Sequence, residues 1–343
     1  MQELKLYRLL GDICINRCYV CLRQHDNINW SVMVVVHQSA KEASVANFDN
    51  RAYSELVVEL LNDAIYLKDR SKRGVISTVR QYAEVVVRRI LDLDSNAHVT
   101  LGKAEVVSGL KAKSNGNELL VGAVENIRLV GNKCTHTQEL GPITEEDIGS
   151  VFDSLFDLYA YLFVDFFTKY RFGENGAIIS SFSILPPIIR YKALMSLYEV
   201  DGNNISIIDK YSLCILKAFG LDEAKAWLIE REEELIKVPA YTVEGIEEIR
   251  SVRGDVVADQ YMLNAPNMYE CCMSRLNEVA ITISKNGALY SDFEGAMALF
   301  ETKGFVEGDS VEVATFNDLM QFVYLGRKPT ANDRLGKSYT TIL

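Results

Sequence analysis

Between Glu125 and His136 the chain reads ENIRLVGNKCTH. In a helix, at about 100° per residue, Glu125, Arg128, Asn132 and His136 stand about one turn apart along a single face. That face carries a carboxylate, a guanidinium, an amide and an imidazole, a set suited to chemistry on a phosphodiester. Imidazole titrates near neutrality, so His136 can move a proton to or from a ribose 2′-OH or a leaving oxygen. The donor fork of Arg128 can hold the phosphate and offset charge that develops during reaction. Asn132 would orient imidazole or substrate, Glu125 completes the set, and the scheme calls for no metal or other cofactor. Two other readings of the same face stand beside this one. The groups can form a buried hydrogen-bonding network that fixes a bundle or dimer, with Glu125 neutralising Arg128. They can also bind a nucleotide without cleaving anything.

Other reactive residues are read as structural. Cys14, Cys18 and Cys21 have the spacing of a radical-SAM cluster motif, and His25 would complete a zinc set, but no series of strand–helix units follows. All four lie on one helical face, where cysteine packs as a small hydrophobe. Cys271 and Cys272 are adjacent, a poor spacing for one metal, and His37 and His98 have no partner nearby in sequence. Arg80 and Glu84, at i and i+4, predict an intrahelical ion pair. The seven cysteines are odd in number and read as reduced thiols. P-loop, dinucleotide, H-E-x-x-H and G-x-S-x-G patterns do not occur.

The elements that must position these groups are mostly helical. Apolar residues recur at three and four positions through Arg51 to Leu67, Val79 to Leu91 (capped by Ser77 or Thr78) and Leu119 to Val130. Thr144, with Asp147 three positions on, predicts a capped helix running to Phe167. That helix is apolar nearly all round by its end, so it is either central in a bundle or shared with a second subunit. Further helices are expected at Ile208 to Phe219, Asp222 to Ile236, Ile246 to Tyr261, Tyr269 to Ile283 and Asp292 to Thr302. Trp30 to Val36 and Ser310 to Phe316 read as short strands, and Asn317 as the cap of a final helix.

A chain of 343 residues exceeds one usual core. Hydrophobic residues at 48% and charged residues at 24% are enough to fold it. The net charge of −11 disfavours broad binding to duplex DNA. The densest positive stretch, Lys68, Arg70, Lys72, Arg73, Arg80, Arg88 and Arg89, reads first as a solvated helix face. The most apolar run, Val151 to Phe167, contains Asp153, Asp157 and Asp165 and is not a membrane span. The first ten residues have no secretory pattern, so a cytoplasmic location is expected.

Taken together, VRQYAEVVVRRIL from Val79 to Leu91 and ENIRLVGNKCTH resemble the HEPN superfamily. The second stretch resembles the Arg-x-x-Gly-Asn-x-x-x-His signature of a HEPN-like family of unknown function often linked to defence enzymes. The resemblance covers about residues 40–170. It implies an N-terminal helical bundle that pairs as a dimer, joins two such helices in one cleft, and cuts single-stranded RNA without metal. The chain keeps seven residues between Arg128 and His136, a wider gap than such ribonucleases usually have. The fold class expected is therefore mainly α: a HEPN-like domain over 1–172, a linker over 173–190, and a mostly helical domain with a few short strands over 191–343. The function expected is a prokaryotic defence or stress-response protein acting on RNA. The alternative is a non-catalytic module that senses a nucleotide or assembles a larger complex through the helix 144–167.

Overall fold

A computed structural model of the chain describes residues 51–67, 69–135, 141–290 and 292–329. The strongly periodic stretches are helices: α1 (Arg51–Ile65), α2 (Lys72–Ile90), α3 (Ala104–Ser114), α4 (Glu118–Thr135) and α5 (Glu145–Lys169) come first. They are followed by α6 (Gly176–Phe182), α7 (Pro187–Val200), α8 (Ile205–Phe219), α9 (Leu221–Glu230), α10 (Glu232–Leu235), α11 (Val243–Arg253), α12 (Asp255–Asn264) and α13 (Met268–Asn286). The last two are α14 (Phe293–Lys303) and α15 (Val311–Tyr324). The protein is mainly α. Among the described residues the extended pairing is one isolated bridge, Pro239 with Asn267, in place of the few short strands expected.

By backbone contact the chain divides into two units, and the division is discontinuous in sequence. Of the described residues, one unit holds those from 51 to 170 and from 292 to 329, and the other holds those from 171 to 290. The stretch 173–190, read from sequence as a linker, contains α6 and the start of α7. Pro187 stands at the start of α7, where its fixed φ suits a first helical turn and its missing N–H costs nothing.

In the first unit α5 is the central element. Its start is the expected capping box, with Thr144 accepting from the Asp147 amide at 3.1 Å and Asp147 accepting from the Thr144 amide at 2.9 Å. Val151, Leu155, Leu158, Tyr159, Leu162, Phe163, Phe166 and Phe167 are all buried, and none of its large apolar residues is exposed. The aromatic side chains that meet them come from the same unit: Phe163 and Phe166 pack on Phe316, and Phe156 and Tyr159 on Phe293. Tyr159 also donates to the Tyr82 hydroxyl of α2 at 2.8 Å, so each buried phenol finds a partner.

α15 corrects the strand expected at Ser310 to Phe316. Ser310 accepts from the Val313 amide as an N-cap, and Val313, Phe316, Met320 and Val323 then fall on one buried face. A run of seven residues fits either period, and the cap decides it. Asn317, read as a cap, lies inside this helix; its side chain accepts from the Val306 amide and donates to the Val306 carbonyl. α2 likewise begins earlier than its periodicity suggested: Ser71, rather than Ser77 or Thr78, accepts from the Gly74 amide as its cap, and Thr78 lies inside the helix with its hydroxyl donating to the Gly74 carbonyl.

In the second unit α8 packs on α7, α9 and α13. Arg190 is 4% exposed and donates to the Leu185 carbonyl at 2.7 Å, beside Tyr290, which bonds to the Ser183 carbonyl. The helix expected over Ile246 to Tyr261 is two helices, broken at Gly254, whose φ of 86° a helix cannot contain. Among the described residues no helix is long and apolar enough to cross a membrane.

Candidate functional site: a polar junction between two helices

α4 places Glu125, Arg128 and Asn132 at successive turns, as the spacing predicts. His136 follows Thr135, the last residue of α4, and lies outside the described residues. The Trp30 to Val36 run, the Cys14, Cys18, Cys21 and His25 set, and His37 lie outside them as well. Arg128 and Glu125 form a two-pronged ion pair: Nε donates to Oε2 at 2.7 Å and Nη2 to Oε1 at 2.6 Å. The hydrogen bonds from Arg128 hold the Glu125 carboxyl below its ordinary range. The stem of Arg128 runs over Gly102, where a Cβ would stand 3.0 Å from its Cδ.

The guanidinium that reaches Asn132 is Arg80, 52 residues away on α2. Its Nη1 donates to Asn132 Oδ1 at 2.7 Å and to Thr135 Oγ1 at 3.2 Å. Arg80 therefore crosses to α4 instead of closing on Glu84, which corrects the expected intrahelical pair. The crossing depends on Gly131: a Cβ there would lie 2.6 Å from Arg80 Cδ. Glycine inside a helix costs about 1 kcal/mol relative to alanine. Here it provides the space through which one helix sends its charge to the other.

Glu84 stays half-buried on α2, and burial raises its carboxyl above the ordinary value against the charges of Arg88, Arg80 and His98. Arg88 Nε donates to the Ala97 carbonyl at 2.8 Å and so fastens the turn after α2. On that turn the exposed His98 stands 3.3 Å from Thr100 Oγ1 through its Nε2. The α2–α4 junction therefore brings Arg80 together with Asn132 and Thr135 over Gly131, with the Arg128–Glu125 pair one turn back along α4.

The remaining basic residues have structural work. Arg73 donates to the Lys133 carbonyl at the C-terminal end of α4 and to Gly141 O at 2.9 Å, satisfying a carbonyl the helix leaves open. Lys72 pairs with Glu145 at 2.8 Å, and Arg70 with Asp63. Arg89 lies 5.9 Å from the Phe322 ring centre, and burial lowers its pKa. Lys68 lies outside the described residues, and the rest of the stretch read as a solvated face is mostly a set of ties between elements. Sequence reasoning also missed Asn126, whose amide nitrogen donates to Ser150 Oγ and Ser154 Oγ at 2.7 and 2.8 Å and fastens α4 to α5. Its neighbours 24 and 28 positions away leave no local signal.

Among the described residues no three His, Cys, Asp or Glu side chains gather as a metal site. Cys271 is partly buried and Cys272 buried; burial pushes the Cys272 thiol up, which makes it a poor nucleophile. Chemically, the junction gathers guanidinium, amide, hydroxyl and carboxylate groups, and Arg80 and Arg128 each already hold a protein partner that an anion would have to displace. Compared with models of protein families, with curated proteins and with solved structures, the chain finds no match to any.

Proposed function

We propose that the polar face shared by α2 and α4 binds the backbone of single-stranded RNA and cleaves it without metal, in the manner the HEPN resemblance implies. The observation that carries this reading is the meeting of Arg80 with Asn132 over Gly131, on the face that also holds Arg128. A guanidinium from α2 and another from α4 then stand at neighbouring turns of one face, and a phosphodiester with two non-bridging oxygens can accept from both. In this scheme Arg80 and Arg128 hold the phosphate, Asn132 orients it, and Glu125 keeps Arg128 extended until RNA arrives. His136 exchanges the proton. The setting proposed is a prokaryotic defence or stress response in the cytoplasm, with two copies of the chain sharing the work.

A second reading has its own observation. Both prongs of Arg128 are already filled by Glu125, at 2.6 and 2.7 Å, and Arg80 is bonded to Asn132. A closed network of this kind fixes helix packing, and the unit would then serve as a module in a larger assembly. One experiment separates the two. Wild type, Arg80→Ala and His136→Ala are incubated with tRNA and total RNA in the presence of chelator. Cleavage by wild type that both variants lose by about a hundredfold or more supports the ribonuclease. Equal, negligible cleavage by all three leaves the packing network.

A further inference from the structure

In the second unit two adjoining clefts lie where the turn between α7 and α8 meets α10 and the segment after it. One, of about 450 Å³, is lined by Tyr198, Glu199, Asn203, Arg231, Glu234 and Val238 among others. The other, of about 540 Å³, shares Asn203, Glu234 and Val238 with it and continues over Ile205, Pro239 and Tyr241, with Lys237 on its wall. Volumes of this order are those of small-molecule sites.

The charges that line these clefts do not neutralise one another. Arg231, Glu234 and Lys237 follow at intervals of three, a spacing at which opposite charges on helical turns ordinarily pair. Arg231 turns instead to Glu230 at 3.2 Å and to the Trp227 carbonyl at 3.4 Å, both through Nη1, with its guanidinium carbon 5.1 Å from the Trp227 ring centre. Its Nε and Nη2 stay open. Among the described residues Glu199, Glu234 and Lys237 have no ion pair and no side-chain hydrogen bond. Tyr198 forms an aromatic wall, its ring 5.5 Å from Trp227 and 5.9 Å from Tyr211. Burial raises the Tyr198 phenol above its ordinary range; the Glu234 carboxylate adds to this, and Arg231 opposes it.

We propose that the two clefts together bind a free amino acid with a large apolar side chain. Its carboxylate accepts from the open fork of Arg231, and its ammonium donates to Glu199 and Glu234. The side chain runs over Val238 toward Ile205, Pro239 and Tyr241. Charge selects this class of ligand. Arg231 and Lys237 against Glu199 and Glu234 leave the lining neutral, so a nucleotide meets two carboxylates and a polyamine meets two cations, whereas a zwitterion satisfies both signs. The inference is independent of the ribonuclease reading, which concerns the other unit.

The test is calorimetric titration of the full chain with the standard L-amino acids, one at a time. Phenylalanine, leucine or another large apolar member is expected to bind with a Kd of about 1 mM or tighter. Binding by none of them, or by polar members alone, overturns the proposal. The tightest binder is then compared with its decarboxylated amine and its deaminated acid, which for phenylalanine are phenethylamine and hydrocinnamate. Each is expected to bind about tenfold more weakly or worse, as loss of one charge-assisted contact implies. An amine or an acid that binds as well as the amino acid overturns the zwitterion assignment. Glu234→Gln and Arg231→Gln are expected to lower affinity about tenfold or more, whereas Glu233→Gln, which lines neither cleft, keeps wild-type binding. Circular dichroism checks that each variant keeps its helices. Unchanged affinity in Glu234→Gln, an exposed position where folding is not at stake, overturns these clefts as the site, and so does an equal loss in Glu233→Gln.

Discussion

Gly131 is a poor helix former in the middle of α4, and the Arg80 side chain accounts for it. The Cδ of Arg80 occupies the place a Cβ would take. Gly131→Ala should therefore destabilise the first unit by about 1–3 kcal/mol, the usual range for overpacking, despite alanine's better propensity. In an Arg80→Ala background the 2.6 Å approach is gone and the Cβ of residue 80, 3.3 Å away, is what stays close, so the same substitution should stabilise, by less than the propensity gain of about 1 kcal/mol. Urea denaturation of the four proteins in this cycle measures both signs; a Gly131→Ala effect independent of residue 80 would show that the close approach carries no energy. The cycle also explains what could be read locally. The spacing of Glu125, Arg128 and Asn132 set their shared face, because helix geometry needs no information from elsewhere. That Asn132 would receive a guanidinium from α2 depends on how two helices approach each other.

At the scale of elements, the caps were the most legible features. Thr144 and Asp147 satisfy each other's backbone amides at the start of α5, and their pattern is complete within four residues. The Thr144 amide and hydroxyl hold the Asp147 carboxyl below its ordinary value, with Lys133 adding to the effect. A carboxyl depressed in the folded state stabilises fully above its unfolded value of 3.8 and loses that contribution as pH falls through the lower folded value. Thr144→Ala should cost about 1 kcal/mol at neutral pH. It should also flatten this part of the acid-side loss, as denaturation at a series of pH values would register; an unaltered pH dependence would remove the box from the account. α15 teaches the opposite lesson. Its first seven residues alternate well enough for a strand, and only the Ser310 cap and the packing of Phe316 against α5 make them a helix.

Over the whole molecule, α14 and α15 group with the helices of 51–170 although 121 residues (171–291) intervene. The aromatic surface of α5 requires partners, and Phe293 and Phe316 are among those that supply them. Phe316→Ala should cost about 3–5 kcal/mol. Because each unit has its own buried core, hydrogen exchange should quicken in α5 and hardly change in α8; equal acceleration in both would argue against separate units. By itself the sequence determined the helical class, the start of α5 and the common face of Glu125, Arg128 and Asn132, since periodicity, caps and turn spacing act over a few residues. The tertiary structure alone decided which helices meet, that Arg80 reaches Asn132, that Asn126 fastens α4 to α5, and that residues from both ends of the described chain form one core. Each of those contacts joins positions remote in sequence, and its energy exists only once the chain has brought them together.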